Sequence, residues 1–234
     1  MAARHLPGGQ RAPPSHAPRT LVLARGAPAL AWRAAELVAL FVGLPLLVRN
    51  GALPGPRLLV LAAVTAGTTW VLLRDGLPAR ALWAGPLRGE VGGLLARTAV
   101  AAAAILALAL WLSPDRVLAM PRERPQLWLA GLVLYPLLSA WPQELLYRVF
   151  FFRRYAALFP TPASMIAASG LAFALLHLVY PNLVAPLLSL PAGLVLAWRY
   201  HRAGTVGPVW AEHAVYGLLL FTLGLGNYFY DGRG

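Results

Sequence analysis

Apolar residues run along this chain in long blocks, not in short alternation. Blocks at about 30–48, 57–73, 94–112, 126–152, 163–180, 184–198 and 205–229 each approach the roughly 20 residues a helix needs to cross ~30 Å of hydrocarbon. Lipid offers backbone polar groups no water partners, so blocks of this length predict helices. The expected fold is all-α: a polytopic membrane helical bundle of about seven transmembrane helices. Between the second and third blocks, residues 75–93 are amphipathic and predict a segment lying at the interface. Pro181, Pro186 and Pro191 interrupt the surroundings of the sixth block, which predicts a partly broken helix sheltered by protein. No internal repeat is visible.

Composition agrees with this pattern. Of 234 residues, 59% are hydrophobic and only 12% charged, and the mean hydropathy is +0.64. That is a membrane composition. The net charge of +12 comes entirely from arginine, since the chain has no lysine. The arginines sit between apolar blocks and form no basic stripe with interleaved aromatics, which argues against nucleic acid as a partner. A cytoplasmic N-terminus puts thirteen arginines on cytoplasmic segments and six outside, with Arg148 set aside, as the positive-inside rule asks. Residues 1–28 contain no acid and are rich in Pro, Gly and Arg, and so read as a disordered basic arm. Residues 29–234 read as a single transmembrane domain with its motif-bearing core at 126–229. The expected location is a bacterial inner (plasma) membrane. Cysteine is absent, which excludes disulfides and thiolate chemistry.

Three segments place ionisable groups inside the apolar blocks: Gln143-Glu144-Leu145-Leu146-Tyr147-Arg148, Phe173-Ala174-Leu175-Leu176-His177 and Glu212-His213-Ala214-Val215-Tyr216-Gly217. A charge at mid-membrane costs several kcal/mol, about 2.5–3.5 on insertion scales. Phe159-Pro160-Thr161-Pro162 is a turn signal between the fourth and fifth blocks. Glu144 lies about as far before that turn as His177 lies after it. At ~1.5 Å per residue, Glu144 is ~14 Å below Arg153, and His213 is ~13 Å past Gly204. Equal depths predict one buried polar site beneath the cytoplasmic surface. Glu144 and Arg148 are four apart and share a helix face, where the guanidinium would hold the carboxylate ionised. Phe173 and His177 share a face in the same way. A carboxylate with one imidazole can activate water, and a second imidazole can donate to an oxyanion. Ser169 and Ser189 stand in no nucleophile-elbow pattern.

At these residues the chain resembles the CAAX protease and bacteriocin-processing family, glutamic intramembrane endopeptidases related to the eukaryotic prenyl-protein endopeptidase. That family's pattern is Glu-Glu-x-x-x-Arg, Phe-x-x-x-His and His-x-x-x-Asn on three membrane helices. Here the motifs read Gln143-Glu144-x-x-x-Arg148, Phe173-x-x-x-His177 and His213-x-x-x-Gly217. The resemblance implies a hydrolase with Glu144 and His177 activating water and His213 stabilising the oxyanion. Gln143, Arg148, Phe173 and Glu212 would support them, Arg148 as the ion-pair partner.

The first Glu of the pattern is Gln143 here, and the last Asn is Gly217. Gln is no base, so Glu144 takes that part, or Glu212 supplies the carboxylate from the seventh block. The alternative is a catalytically inactive relative that acts as a membrane scaffold or regulator. No cofactor is expected. Zinc on His177, His213 and a carboxylate is possible but not favoured, because no His-Glu-x-x-His is present. The expected partners are membrane lipid and a peptide or protein substrate cut near a membrane-embedded end.

Overall fold

A computed structural model describes residues 26–53, 55–83, 85 and 91–230. Residues 1–25 of the expected basic arm lie outside the described residues, as do residues 84 and 86–90 of the expected interfacial segment. The described residues are almost wholly helical and contain no strand. The long helices are α1 (Ala27–Arg49), α2 (Arg57–Arg74), α3 (Val91–Leu112), α4 (residues 125–154), α5 (Pro162–Leu176), α6 (Val184–Ala203) and α7 (Gly207–Thr222). By length and composition alone, four helices are long and apolar enough to cross a membrane: α1, α2, α3 and α5 with its continuation to Val179. The seventh apolar block does not stay helical to its end. It breaks after Thr222 and finishes in a short 3-10 turn at Gly226–Phe229.

Burial separates the helices into two classes. Trp32, Leu46, Leu59, Trp70, Val100 and Trp111 on α1–α3 stay exposed, as side chains that face lipid do. In α4, by contrast, every residue from Pro142 to Phe151 is buried. α4 is therefore the central strut, and it carries the first polar motif through the middle of the bundle. Prolines shape it. Pro142 has no N–H to offer the preceding turn, and a widened π turn at Pro136–Ala140 takes up the misfit. The same device appears in α1, where a π turn at Ala39–Gly43 meets Pro45.

α6 is a continuous helix of 20 residues, not the broken one its prolines suggested. Pro186 falls in the first turn, where its missing N–H has no intrahelical partner in any case. Only Pro191 lies inside. The α4–α5 turn is where the sequence placed it, and Thr161 caps α5 by accepting the Ser164 N–H at 3.1 Å. α5 and α6 then cross at two glycines. A Cβ on Gly193 would lie 2.9 Å from the Gly170 carbonyl oxygen, so the backbones meet with no side chain between them.

Two contacts fix the ends of the bundle. Arg154, at the end of α4, donates to both carboxylate oxygens of Glu36 on α1, at 2.8 and 2.7 Å. At the other end of α1, Arg49 donates to the carbonyls of Leu178 (2.6 Å) and Tyr180 (3.2 Å) beyond α5. Between these ends, Phe41 packs edge-on against Tyr147, Phe151 and Tyr155 at centroid distances of 5.2, 5.1 and 5.9 Å. The described part of the 75–93 segment folds back onto α4. Trp83 stacks on Trp141 at 4.1 Å, and the Trp141 indole N–H donates to the Leu82 carbonyl at 3.1 Å.

The glycine crossing gives a stability prediction. Gly193→Val should push α6 off α5 and lower the stability of the purified protein by about 1–3 kcal/mol, read as a lower unfolding midpoint in detergent. A midpoint unchanged from the parent would show that the crossing is looser than described.

Candidate functional site

The first motif brings two neighbours to opposite duties. Glu144 is fully buried. Its Oε1 accepts from His213 Nδ1 at 2.8 Å, and its Oε2 lies 3.2 Å from Arg148 Nε. The second contact is an ion pair whose angle falls short of a hydrogen bond. Arg148, also fully buried, donates through Nη1 to Ser169 Oγ at 2.8 Å and through Nη2 to the Gly193 carbonyl at 3.4 Å. Its guanidinium also sits over the Phe173 ring at 5.1 Å. Ser169 passes the chain on by donating to the Tyr147 carbonyl at 2.8 Å. Arg148 thus ties α4 to α5 and α6, and leaves Ser169 fully engaged.

The two imidazoles are oriented from behind. His177 Nδ1 lies 2.8 Å from the Phe173 carbonyl, an acceptor, so Nδ1 carries the proton and Nε2 keeps its lone pair. His213 offers Nδ1–H to the buried carboxylate in the same manner. The Phe173 ring stands between the imidazoles, 4.9 Å from His177 and 5.3 Å from His213.

Both histidines line a cavity of about 990 Å³. Gln143, Phe173, Tyr135 and Gly217 share its inner wall, and leucines of α4, α6 and α7 make its flanks apolar. Gln143 donates through Nε2 to Ser139 Oγ at 2.9 Å, while its Oε1 is buried without a partner. Glu144 does not reach the cavity wall; it lies behind His213. Among the described residues no carboxylate lines the cavity. Arg49, Arg57 and Tyr180 line the mouth. The sequence put the site beneath the surface marked by Arg153. The mouth opens at the opposite end of the bundle, where Arg49 holds the end of α5 and far from the Arg154–Glu36 pair.

Glu212 goes elsewhere. It is fully buried and accepts from Arg97 Nε and Nη2 at 2.5 and 2.9 Å, Arg199 Nε at 3.2 Å and the Tyr216 hydroxyl at 2.6 Å. That cluster joins α3, α6 and α7 and leaves the carboxylate no access to the cavity. The structure therefore gathers Gln143, Glu144, Arg148, Phe173, His177 and His213, and sets Glu212 apart. Among the described residues no group of three His, Cys, Asp or Glu could hold a metal ion.

Tyr135 escaped the sequence reading. A Cβ at position 217 would overlap its hydroxyl, so Gly217 leaves the room that Tyr135 occupies. A signal was present: Tyr135, Ser139 and Gln143 follow one another at steps of four, and all three line the cavity.

Removing the buried carboxylate charge should be costly. Glu144→Gln leaves Arg148 without its counter-charge, and a buried pair broken from one side loses about 3–5 kcal/mol. Denaturant unfolding in micelles should report that loss, and a change below 1 kcal/mol would refute the buried pair.

Comparison with known proteins agrees with the motif-bearing half. Residues 125–219 match the family model described as type II CAAX prenyl endopeptidase Rce1-like. No curated protein and no solved structure matches the chain.

Proposed function

We propose that this integral membrane protein, whose residues 125–219 match the Rce1-like CAAX prenyl endopeptidase model, is an intramembrane endopeptidase of the CAAX protease type. The family acts on peptide or protein substrates. The finer reading is that this chain hydrolyses a peptide bond near the membrane-embedded end of its substrate. The observation that carries it is a pair of imidazoles, each fixed through Nδ1, facing one cavity.

The chemistry then follows. A water in the cavity gives its proton to Nε2 of His177 as its oxygen attacks the scissile carbonyl. The carbonyl electrons move to oxygen, and the oxyanion accepts a hydrogen bond from Nε2–H of His213, which in this step carries a proton on both ring nitrogens, its Nδ1–H held by the Glu144 carboxylate. Collapse breaks the C–N bond, and the proton held by His177 passes to the leaving amine. Glu144 works through His213, which it holds in place, and so is a positioning residue. Arg148 holds Glu144 in turn. The amide of Gln143 orients the water or the substrate carbonyl. No step needs a metal or cofactor. The chain is proposed to work in a bacterial inner membrane with its N-terminus in the cytoplasm.

One observation favours a second reading. The cavity wall carries an amide at Gln143 and, among the described residues, no acid. A membrane scaffold that binds a peptide without cutting it would look the same.

Purified protein in lipid vesicles, given a fluorogenic apolar peptide library, separates the two. The hydrolase reading expects turnover that survives chelation by EDTA and falls about 10²–10⁴-fold in His177→Ala. Turnover absent from the parent but gained in Gln143→Glu would establish the scaffold reading instead.

A further inference from the structure

The Tyr135 hydroxyl has no duty in the scheme above. It lines the cavity beside Gly217, and its ring meets His213 edge-on at a centroid distance of 6.2 Å. Phe221 packs on the ring at 5.7 Å. The ring is therefore held between two side chains of α7, while its hydroxyl has no hydrogen-bond partner among the described residues. A phenol oriented this firmly with nothing to bond is unusual, because tyrosines at buried walls normally find a partner.

The space it fills is informative. Glycine at 217, in the interior of α7, is a weaker helix former than alanine. Any side chain there would collide with the phenolic oxygen. Position 217 also lies one turn after His213 on the same face. A hydroxyl lodged against Gly217 thus sits one helical turn from His213, and both residues line the same cavity.

We propose that Tyr135 is a catalytic residue. Its hydroxyl donates a hydrogen bond to the oxyanion, alongside His213, in the space that Gly217 leaves open. This deepens the hydrolase reading and rests on it. Tyr135 keeps its proton throughout. It stabilises the tetrahedral species, in which the attacking water oxygen has bonded to carbon and the carbonyl oxygen bears the charge, and it releases that species when the C–N bond breaks.

The test is Tyr135→Phe in the full chain, in vesicles, with the fluorogenic peptide that the parent cleaves best. The variant removes one atom that no protein group uses, so its unfolding midpoint should match the parent. Its kcat should fall about 100-fold, the scale of one lost oxyanion donor. KM should move less than threefold. Affinity for a phosphinate isostere of the peptide should fall in step with kcat. Gly217→Ala provides a second route, since it displaces the hydroxyl while keeping Tyr135, and should also lower kcat. Parent-like kcat in Tyr135→Phe overturns the tyrosine's role and leaves the hydrolase reading standing. A parent with no turnover and no phosphinate binding overturns the hydrolase reading and this proposal together.

Discussion

A carboxylate removed from water is the constraint around which the molecule is organised. Glu144 has no exposure at all, and an isolated buried charge is costly by several kcal/mol even after relaxation. It is tolerated because Arg148 and His213 meet its two oxygens from different helices. Arg148 needs satisfaction in turn, and takes it from Ser169 on α5 and the Gly193 carbonyl on α6. Four helices, α4 to α7, are thereby tied to one charge. Displacing any of them leaves a buried polar group unpaired.

The backbone accommodates this knot in visible ways. The glycine crossing of α5 and α6 brings the Gly193 carbonyl within reach of the guanidinium, which a bulkier crossing would prevent. A π turn at Pro136–Ala140 precedes Gln143 and Glu144, and these neighbours, about 100° apart on the helix, divide: Gln143 meets the cavity and Glu144 turns behind it. Such widened turns recur at functional sites because they re-aim side chains without ending a helix. A second carboxylate cluster, at Glu212, does comparable work for α3, α6 and α7 with no opening to the cavity. Two buried acids on one chain thus serve different ends, and only the one in contact with an imidazole belongs to the site.

Much of this was legible in the residues themselves. Block lengths gave helices, and the Phe159–Pro162 signal gave the α4–α5 turn. The four-residue spacings gave the shared faces of Glu144 with Arg148 and Phe173 with His177. What stayed hidden depended on rotation and distance through space. Counting rise per residue gives depth but not azimuth, and the π turns shift azimuth in a way no spacing rule records. Hence Glu144 pairs with His213 and not with His177. Glu212 could be offered as a carboxylate for the site because its ion-pair partners, Arg97 and Arg199, are 115 and 13 positions away. Gly217 reads as a lost side chain in sequence, and only the fold reveals the tyrosine that occupies its place.

The position of the mouth bears on which polypeptides could arrive. Arg49 and Arg57 flank it, and the pair formed by Arg154 and Glu36 marks the opposite face. A polypeptide reaching the two histidines would pass these guanidinium groups, from the side of the bundle that carries the end of α1 at Arg49.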